Sequence, residues 1–493
     1  MLKIDDLMAS SGVKFGTSGA RGRVVDMTDR VCFAYSLGFL QHLRSTGAVV
    51  AGGDVGIAGD YRPSSPRIMA ACAAAVRAAG CRPRNFGGIP TPALAAFGIA
   101  ERMPTLMVTG SHIPDDRNGI KFNLPSGEIL KDDEASIRAQ TVVLPEAHFA
   151  ADGSLLAPAL PMEEDAAFAA YIERYLRFFP TDWLAGLRVG LYEHSSVARD
   201  AFHALLTGLG AEVTRLGRAD TFIPVDTEAI RPEDVQLAAE WAAGGQFDAL
   251  ISADGDGDRP LVADARGEWL RGDIAGILCA RELGAAAVVT PVSSNTALER
   301  SGWFDAVLRT RIGSPYVIAG MQTLRARGLA PVVGYEANGG FLIETDIELD
   351  GQRLPALPTR DAAIVALTIL GGARRRGVPV AALTEALPAR FTYSDRIKAF
   401  PTELSQERLA AFATGDADAD RNAVATVFSG AFGPVASVDH TDGVRIAFDS
   451  GEVAHLRPSG NAPELRAYTE AASPDRARDM NRVCMEILDG WRR

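Results

Sequence analysis

Lysine is nearly absent from this chain. Only five of its fifty basic residues, Lys3, Lys14, Lys121, Lys131 and Lys398, carry an amine; the rest are arginine. A lysine kept against that drift marks a place where an amine is wanted, and Lys121 stands just after the motif TGSH. Cysteine is equally sparse. Cys32, Cys72, Cys81, Cys279 and Cys484 are scattered with no CxxC pair, which excludes a disulfide framework and suits a reducing compartment. Long apolar runs are missing too. The longest, AAIVALTILGGA from Ala362, is too short to span a membrane, and the opening MLKIDDLMAS lacks the apolar core of a signal peptide. A cytoplasmic protein without membrane association is expected. Positive charge is in deficit. The formal net charge of -12 argues against a general nucleic-acid binder, so an anionic ligand would need a local pocket of arginines. Three signatures are absent altogether: there is no GK dipeptide and hence no P-loop, no G-x-G-x-x-G, and no G-x-S-x-G.

What is present is an ordinary globular mix, 47% hydrophobic and 23% charged, over 493 residues, enough for several domains. Three stretches share one pattern of strand, helix, strand, helix, strand and loop. The first runs from GAVVAGGD to PTLMVTGSH, the second from LRVGLYEHSS to FDALISADGDGDR, and the third from AAAVVTPVSS to LAPVVGYEANGG. Strands alternating with helices predict mainly parallel sheets covered by helices, with ligands gathering at the carboxyl ends of the strands. The last portion differs: short strands and turns, from PARFTYSDRIKAF through ATVFSGAFGPVASVDH to APELRAYTEAAS, precede a closing helix. The polar piece ADGSLLAPALPMEED reads as one boundary and GGARRRGVP as a linker. The expected architecture is three similar mixed α/β domains, over residues 1–155, 156–266 and 267–378, and a smaller α+β domain over 379–493, set around a central cleft.

The third strand of each block ends in a peculiar loop. In MVTGSHIPDDRNGIKF, a hydroxyl at Ser111 follows a hydrophobic segment, among groups that suit an anion. His112 is adjacent, an awkward geometry for a nucleophile and its base, and reads as a phosphate donor or a polar turn residue. DGDGDR sets Asp254, Asp256 and Asp258 on alternate positions, with glycines that let the backbone curl so that the carboxylates converge. Three close anions repel unless a cation sits among them, and hard oxygen ligands suit Mg²⁺ or Ca²⁺. An EF-hand is excluded, because its sixth position holds Arg259 and its twelfth holds Ala265. An acidic turn is the ordinary alternative; the buried-looking FDALISA before it favours a metal. GYEANGG sets Glu336 and Asn338, beside Gly339, where a carboxylate and an amide suit vicinal sugar hydroxyls. RPSGNAPELR supplies Arg457, Ser459, Gly460, Asn461 and Arg466, a phosphate cradle of guanidinium, hydroxyl, amide and free N–H groups. FGTSGARGRV adds Arg21 and Arg23 amid glycines. Taken singly, the last three loops also read as turns.

Together and in this order, the loops resemble those of the α-D-phosphohexomutase superfamily, over essentially the whole chain. The resemblance implies four domains around one cleft. It implies that Ser111 is phosphorylated in the active enzyme, that Lys121 serves proton transfer beside it, and that Arg21 and Arg259 belong to the catalytic face with His112. It implies Mg²⁺ held by Asp254, Asp256, Asp258 and a phosphoserine oxygen. Glu336, Asn338 and Gly339 would read the sugar, and Arg457, Ser459, Gly460, Asn461 and Arg466 would clamp the distal phosphate. A hexose phosphate would be the substrate, a hexose 1,6-bisphosphate the intermediate and activator, and the assembly a monomer or homodimer. The sugar and phosphate loops look most like those of bacterial phosphomannomutases, which implies exchange of mannose 6-phosphate and mannose 1-phosphate on the way to GDP-mannose. Glucose or glucosamine phosphates are the rival substrates. An inactive sugar-phosphate binding protein and a phosphatase or phosphotransferase with a phosphoserine are the rivals in kind. This chain departs from the family at Gly110 and Ile113 in the serine loop, at Asn338 and Gly340 in the sugar loop, and at Ser314, where a loop histidine is often seen.

Overall fold

A computed structural model describes residues 1–16, 19–459 and 463–492. The three repeated blocks form three sheets with one shared logic. In each, the first strand of the block lies between the second and the third, and all three run parallel: Asp54–Gly59 between Arg82–Asn85 and Thr105–Val108, Arg188–His194 between Glu212–Arg218 and Ala249–Ala253, and Ala287–Pro291 between Ala306–Thr310 and Val332–Tyr335. The third strand then turns back into an antiparallel neighbour, with Val108 opposite Ile120, Ala253 opposite Pro260 and Tyr335 opposite Phe341. The sheets are therefore mixed, where the alternation of elements alone predicts mainly parallel ones. The third strands TLMV, ALISA and VVGY are buried throughout, as continuous apolar runs must be when helices cover both faces.

That shared turn-back positions the chemistry. The connections 109–116, 254–259 and 336–340 are the same link in three sheets, and they carry the serine, the three aspartates and the sugar-loop glutamate. One hydrophobic cluster joins the three sheets, running through Phe86, Tyr175, Leu205, Ile251, Ile277 and Ile364. A second core, with Phe33, Ile57 and Val76, fills the other side of the first sheet.

The last portion is a five-stranded antiparallel sheet in the order Phe391–Lys398, Glu464–Ala471, Val453–Pro458, Val444–Phe448, Val435–Asp439, with a core of its own built on Phe400, Phe428, Ile446 and Met480. Three segments differ from the sequence reading, the first being GAVVAGGD, which opens the first block not as a strand but as the turn that leads into Asp54–Gly59. ATVFSGAF is not strand but the end of the helix Ala417–Phe432, which buries Val424, Phe428 and Phe432 at helical spacing. GGARRRG is not a linker; it lies in the helix Ala362–Arg376 up to its Gly377 cap. The two glycines are there for close packing. A Cβ on Gly371 would fall 2.0 Å from the Trp183 indole, and one on Gly372 would fall 2.7 Å from a Glu282 carboxylate oxygen. Among the described residues, no helix is long and apolar enough to cross a membrane.

Candidate active site

Ser111 is buried at the tip of the first turn-back, with φ +56, a left-handed conformation that side chains other than glycine seldom adopt. Its surroundings hold it there. The backbone N–H of Ser111 donates to Thr109 Oγ1 at 2.8 Å, and Thr109 Oγ1 in turn donates to Asp60 Oδ2 at 2.7 Å. Arg62, fully buried, donates to the carbonyls of Ser111 (3.2 Å), Ile113 and Arg117 (3.1 Å) while it pairs with Asp60. Its guanidinium carbon lies 3.9 Å from the centre of the Phe222 ring. This explains the departure at Gly110, where a Cβ would come within 2.7 Å of that guanidinium.

So held, Ser111 Oγ donates to Asp254 Oδ2 at 2.5 Å. Asp254, Asp256 and Asp258 are all buried and bring one oxygen each within 4.8 Å of one another, as the alternate spacing predicts. Asp254 Oδ1 accepts the backbone N–H groups of Asp258 and Arg259 at 3.1 and 3.2 Å, which curls the loop. Thr91 Oγ1 donates to Asp256 Oδ2 at 2.6 Å. Lys121 Nζ sits 2.6 Å from both Asp256 Oδ2 and Asp258 Oδ2. Burial and the two neighbouring aspartates push the Asp254 carboxyl well above the usual range. Burial also opposes charge on Asp256, but Lys121, Thr91 and Arg360 outweigh it and hold that carboxyl below its ordinary value. The same burial opposes the Lys121 ammonium, and Asp256 and Asp258 more than offset it, so the amine stays charged. Asp256 Oδ1 and Asp258 Oδ1 are buried with no hydrogen-bond partner among the described residues. Converging hard oxygens with free lone pairs fit a divalent cation.

His112 Nδ1 lies 3.2 Å from Ser111 Oγ, closer than adjacency in sequence suggests. Arg259 Nη1 donates to the same nitrogen at 2.8 Å, so Nδ1 is an acceptor already engaged. Burial, then Arg259 and Arg21, hold the imidazole well below its ordinary pKa, and it is neutral. Arg21 is itself brought down to about 10 by burial and by Arg259. It remains protonated and lines the crevice over Ser111. Arg23 is not part of the site; it is exposed and paired with Asp26 at 2.7 Å.

Beyond the serine lies a cleft of about 920 Å³ that reaches from His112 and Arg259 to Glu336, Asn338, Arg457 and Arg466. The sugar loop is braced from within: the Asn338 amide oxygen accepts the N–H of Gly340 at 2.9 Å, and Gly339 turns at φ +88. On the far wall, Arg457 is paired in register with Arg466, and Arg466 with Arg396 on the next strand, so three arginines share one face, with Glu464 within 3.2 Å of Arg466 and 3.6 Å of Arg396. Arg457 also contacts Asp442 at 3.0 Å. Ser459 lines this wall, while Gly460 and Asn461 lie outside the described residues. Ser314 opens the helix Ser314–Ala326 and donates its buried hydroxyl to Glu128 Oε2 at 2.8 Å, so it ties the third sheet to the first.

Three family profiles match the chain: phosphoglucomutase/phosphomannomutase alpha/beta/alpha domain I over residues 12–144, alpha/beta/alpha domain III over 271–391, and the C-terminal domain over 406–487. A phosphomannomutase of Salmonella muenchen is 44% identical over 478 residues, covering 96% of this chain and 95% of its own. The chain belongs to the phosphoglucomutase/phosphomannomutase family. A phosphomannomutase of Sinorhizobium fredii (strain NBRC 101917 / NGR234) is 43% identical, covering 97% and 99%. The fold is that of a phosphoglucomutase/phosphomannomutase family protein from Burkholderia thailandensis, which superimposes with a TM-score of 0.72 at 20% identity, covering 100% and 98%. Membership makes this chain a phosphohexomutase and an enzyme. Four residues of the site lie outside the loops read from the sequence: Arg62, Thr91, Arg360 and Arg396. Arg62 follows the strand Asp54–Gly59, Thr91 opens the helix Thr91–Ala100 and Arg360 lies on the strand Leu357–Asp361, and no local motif marks any of them.

Proposed function

We propose that the protein interconverts mannose 6-phosphate and mannose 1-phosphate through phosphorylated Ser111 and a hexose 1,6-bisphosphate. The observation that carries this reading is the contact of Ser111 Oγ with Asp254 at 2.5 Å, at the head of a cleft whose far wall is basic. In the first half-reaction a hydroxyl oxygen of the bound sugar bonds to phosphorus and the P–Oγ bond breaks. The electron pair and one proton return to Ser111 Oγ, leaving free serine and the bisphosphate. The second half is the reverse step on the other phosphate, after the sugar has turned. Arg457, Arg466 and Ser459 would hold the phosphate not in transit, with Gly460 and Asn461 completing the clamp. Glu336 and Asn338, with the backbone of Gly339, would accept from and donate to ring hydroxyls. Arg21 and Arg259 would face the phosphoryl group, and His112 would steady Arg259. Asp254, Asp256, Asp258 and an oxygen of phosphorylated Ser111 would hold Mg²⁺, which when bound offsets charge on the phosphoryl group. Lys121, charged between Asp256 and Asp258, lines the same crevice as Ser111 and would serve proton transfer beside it. The mannose 1-phosphate formed would feed synthesis of GDP-mannose.

Ser111→Ala is the direct test. It should abolish turnover of mannose 1-phosphate and remove phosphate from the peptide that carries residue 111. Melting should stay within a few degrees of the parent, because the side chain is a loop tip. Near-parental activity would sink the nucleophile. Running glucose 1-phosphate in parallel on the parent enzyme names the preferred sugar by the ratio of rates.

A further inference from the structure

Arg360 belongs to none of the loop motifs, yet it stands where three of them meet. It lies on the strand Leu357–Asp361 and is only 4% exposed. Its Nη1 donates to Glu336 Oε2 at 3.2 Å, and its Nη2 lies 3.1 Å from Asp258 Oδ2. It therefore bridges the sugar loop and the acidic loop. With Arg21, Lys121 and Arg259 it also lines the crevice directly over Ser111, a space of about 50 Å³, and it faces the main cleft as well. Its approach depends on one departure from the family. A Cβ on Gly340 would fall 2.7 Å from both Cγ and Cδ of Arg360, so the bare backbone at Gly340 is what admits the side chain. The guanidinium thus takes up space beside the sugar loop that a side chain at residue 340 would contest. Its Nε is buried and has no partner among the described residues, which leaves one donor in reserve.

We propose that Arg360 is a further catalytic residue: its guanidinium contacts the phosphoryl group passing between Ser111 Oγ and a sugar hydroxyl, while a second N–H holds Glu336 toward the ring. A planar fork with several donors suits that double task, since it can serve phosphate oxygens and a carboxylate at once, which a single ammonium cannot. The inference rests on the mutase reading, and the step is the one written above: the sugar oxygen gains phosphorus, and Ser111 Oγ regains the electron pair and a proton.

The test uses full-length protein and glucose 1,6-bisphosphate as the probe. Phosphorylation of Ser111 is followed by intact mass in a single turnover, beside kcat and KM for mannose 1-phosphate. Arg360→Gln should slow both loading and kcat about 100-fold or more, the size seen when one charge-stabilising donor is lost, with KM moved less than about fivefold. Arg360→Lys should recover only part of the loss. Gly340→Ala keeps the arginine but pushes it aside, and should slow loading about tenfold or more on the same scale. Loading by Arg360→Gln within about threefold of the parent would overturn the proposal, and so would a loss confined to KM. If Arg360→Gln does not fold, Gly340→Ala decides by the same criteria. A parent enzyme that neither accepts phosphate from the bisphosphate nor turns over hexose phosphate would instead bring down the mutase reading on which this one stands.

Discussion

The geometry of Ser111 is made by its neighbours. A non-glycine residue at φ +56 costs on the order of 1–3 kcal/mol and persists only when the surroundings over-determine it. Arg62 supplies much of that determination, because it binds the carbonyls of Ser111, Ile113 and Arg117 while anchored on Asp60. Arg62→Lys keeps the charge opposite Asp60 but cannot reach three carbonyls at once. It should lower kcat about tenfold, leave KM within about twofold, and cost a few degrees of melting temperature. Unchanged kcat in a folded Arg62→Lys would mean that the clamp does not aim the serine. Ser111 and the three aspartates are legible in the sequence, because several polar residues crowd one short loop after an apolar strand. Arg62 and Arg360 are not. Each is a single arginine in a stretch with no local pattern, and only the tertiary fold brings it to the serine or to Glu336. Adjacency in sequence makes Ser111 and His112 an awkward nucleophile and base; the left-handed turn at residue 111, which sequence does not reveal, brings Nδ1 within 3.2 Å of Oγ, but Arg259 already engages that nitrogen.

Among the elements, the three turn-backs explain why one chain repeats a pattern three times. Each sheet delivers one loop from the same place, the end of its third strand. The repeat of strand and helix is legible because the third strand of each block, TLMV, ALISA or VVGY, is a buried apolar run that ends at a polar loop. Two of the antiparallel fourth strands, PLVA and FLI, are not legible, since they are short and carry no period of their own. Within the helix Ala417–Phe432, VATVF is rich in β-branched residues and reads as strand, and packing of Val424 and Phe428 overrides that preference. One strand end also sets an acid limit. His194, at φ +29 where Arg188–His194 ends, donates Nε2–H to the Ala253 carbonyl at 2.7 Å, next to Asp254. Burial brings its pKa down to about 4, against about 6.5 in an unfolded chain. The unfolded state then binds the proton first as pH falls. Stability is whole above about 6.5 and drains away down to about 4, by on the order of 3 kcal/mol. His455, also brought to about 4 by burial, adds a second share. Denaturant midpoints measured from pH 7.5 to 4 should therefore fall for the parent. His194→Gln, which keeps a donor but cannot titrate, should fall less steeply; equal slopes would show that His194 plays no part in the limit.

At the scale of the whole molecule, the fourth sheet is attached differently from the other three. Its buried apolar side chains form their own cluster, whereas the first three sheets share one. Polar contacts bind it to the third sheet. From the third sheet's side, the N–H of Thr296 donates to Glu470 Oε2 at 3.0 Å and Asn295 Nδ2 donates to the Arg390 carbonyl at 2.9 Å; Arg390, which directly precedes the strand Phe391–Lys398 of the fourth sheet, steadies Glu470 from its own side through a bond of 2.6 Å. Nearer the cleft, the N–H of Ile312 donates to Asp442, the same carboxylate that contacts Arg457. Directional contacts of this kind allow one docked geometry but resist sliding less than a shared apolar core would. The distal wall with Arg396, Arg457 and Arg466 thus moves with the fourth sheet, and its distance from Ser111 is set largely at Glu470. Glu470→Gln leaves Arg390 buried without its counter-charge, a loss worth about 3–5 kcal/mol when one partner of such a pair is removed. Because Glu470 also accepts from Thr296, that loss should appear as weaker docking of the fourth sheet and as loosening at residue 390, with the shared core of the first three sheets intact. The expected result is a KM for mannose 1-phosphate raised about tenfold or more, with protease cleavage appearing near residue 390 while the first three sheets stay protected. A variant with parental KM and an unchanged digest would show that the wall is fixed by the contacts at Asp442 instead, and Asp442→Asn would then be the change that moves it.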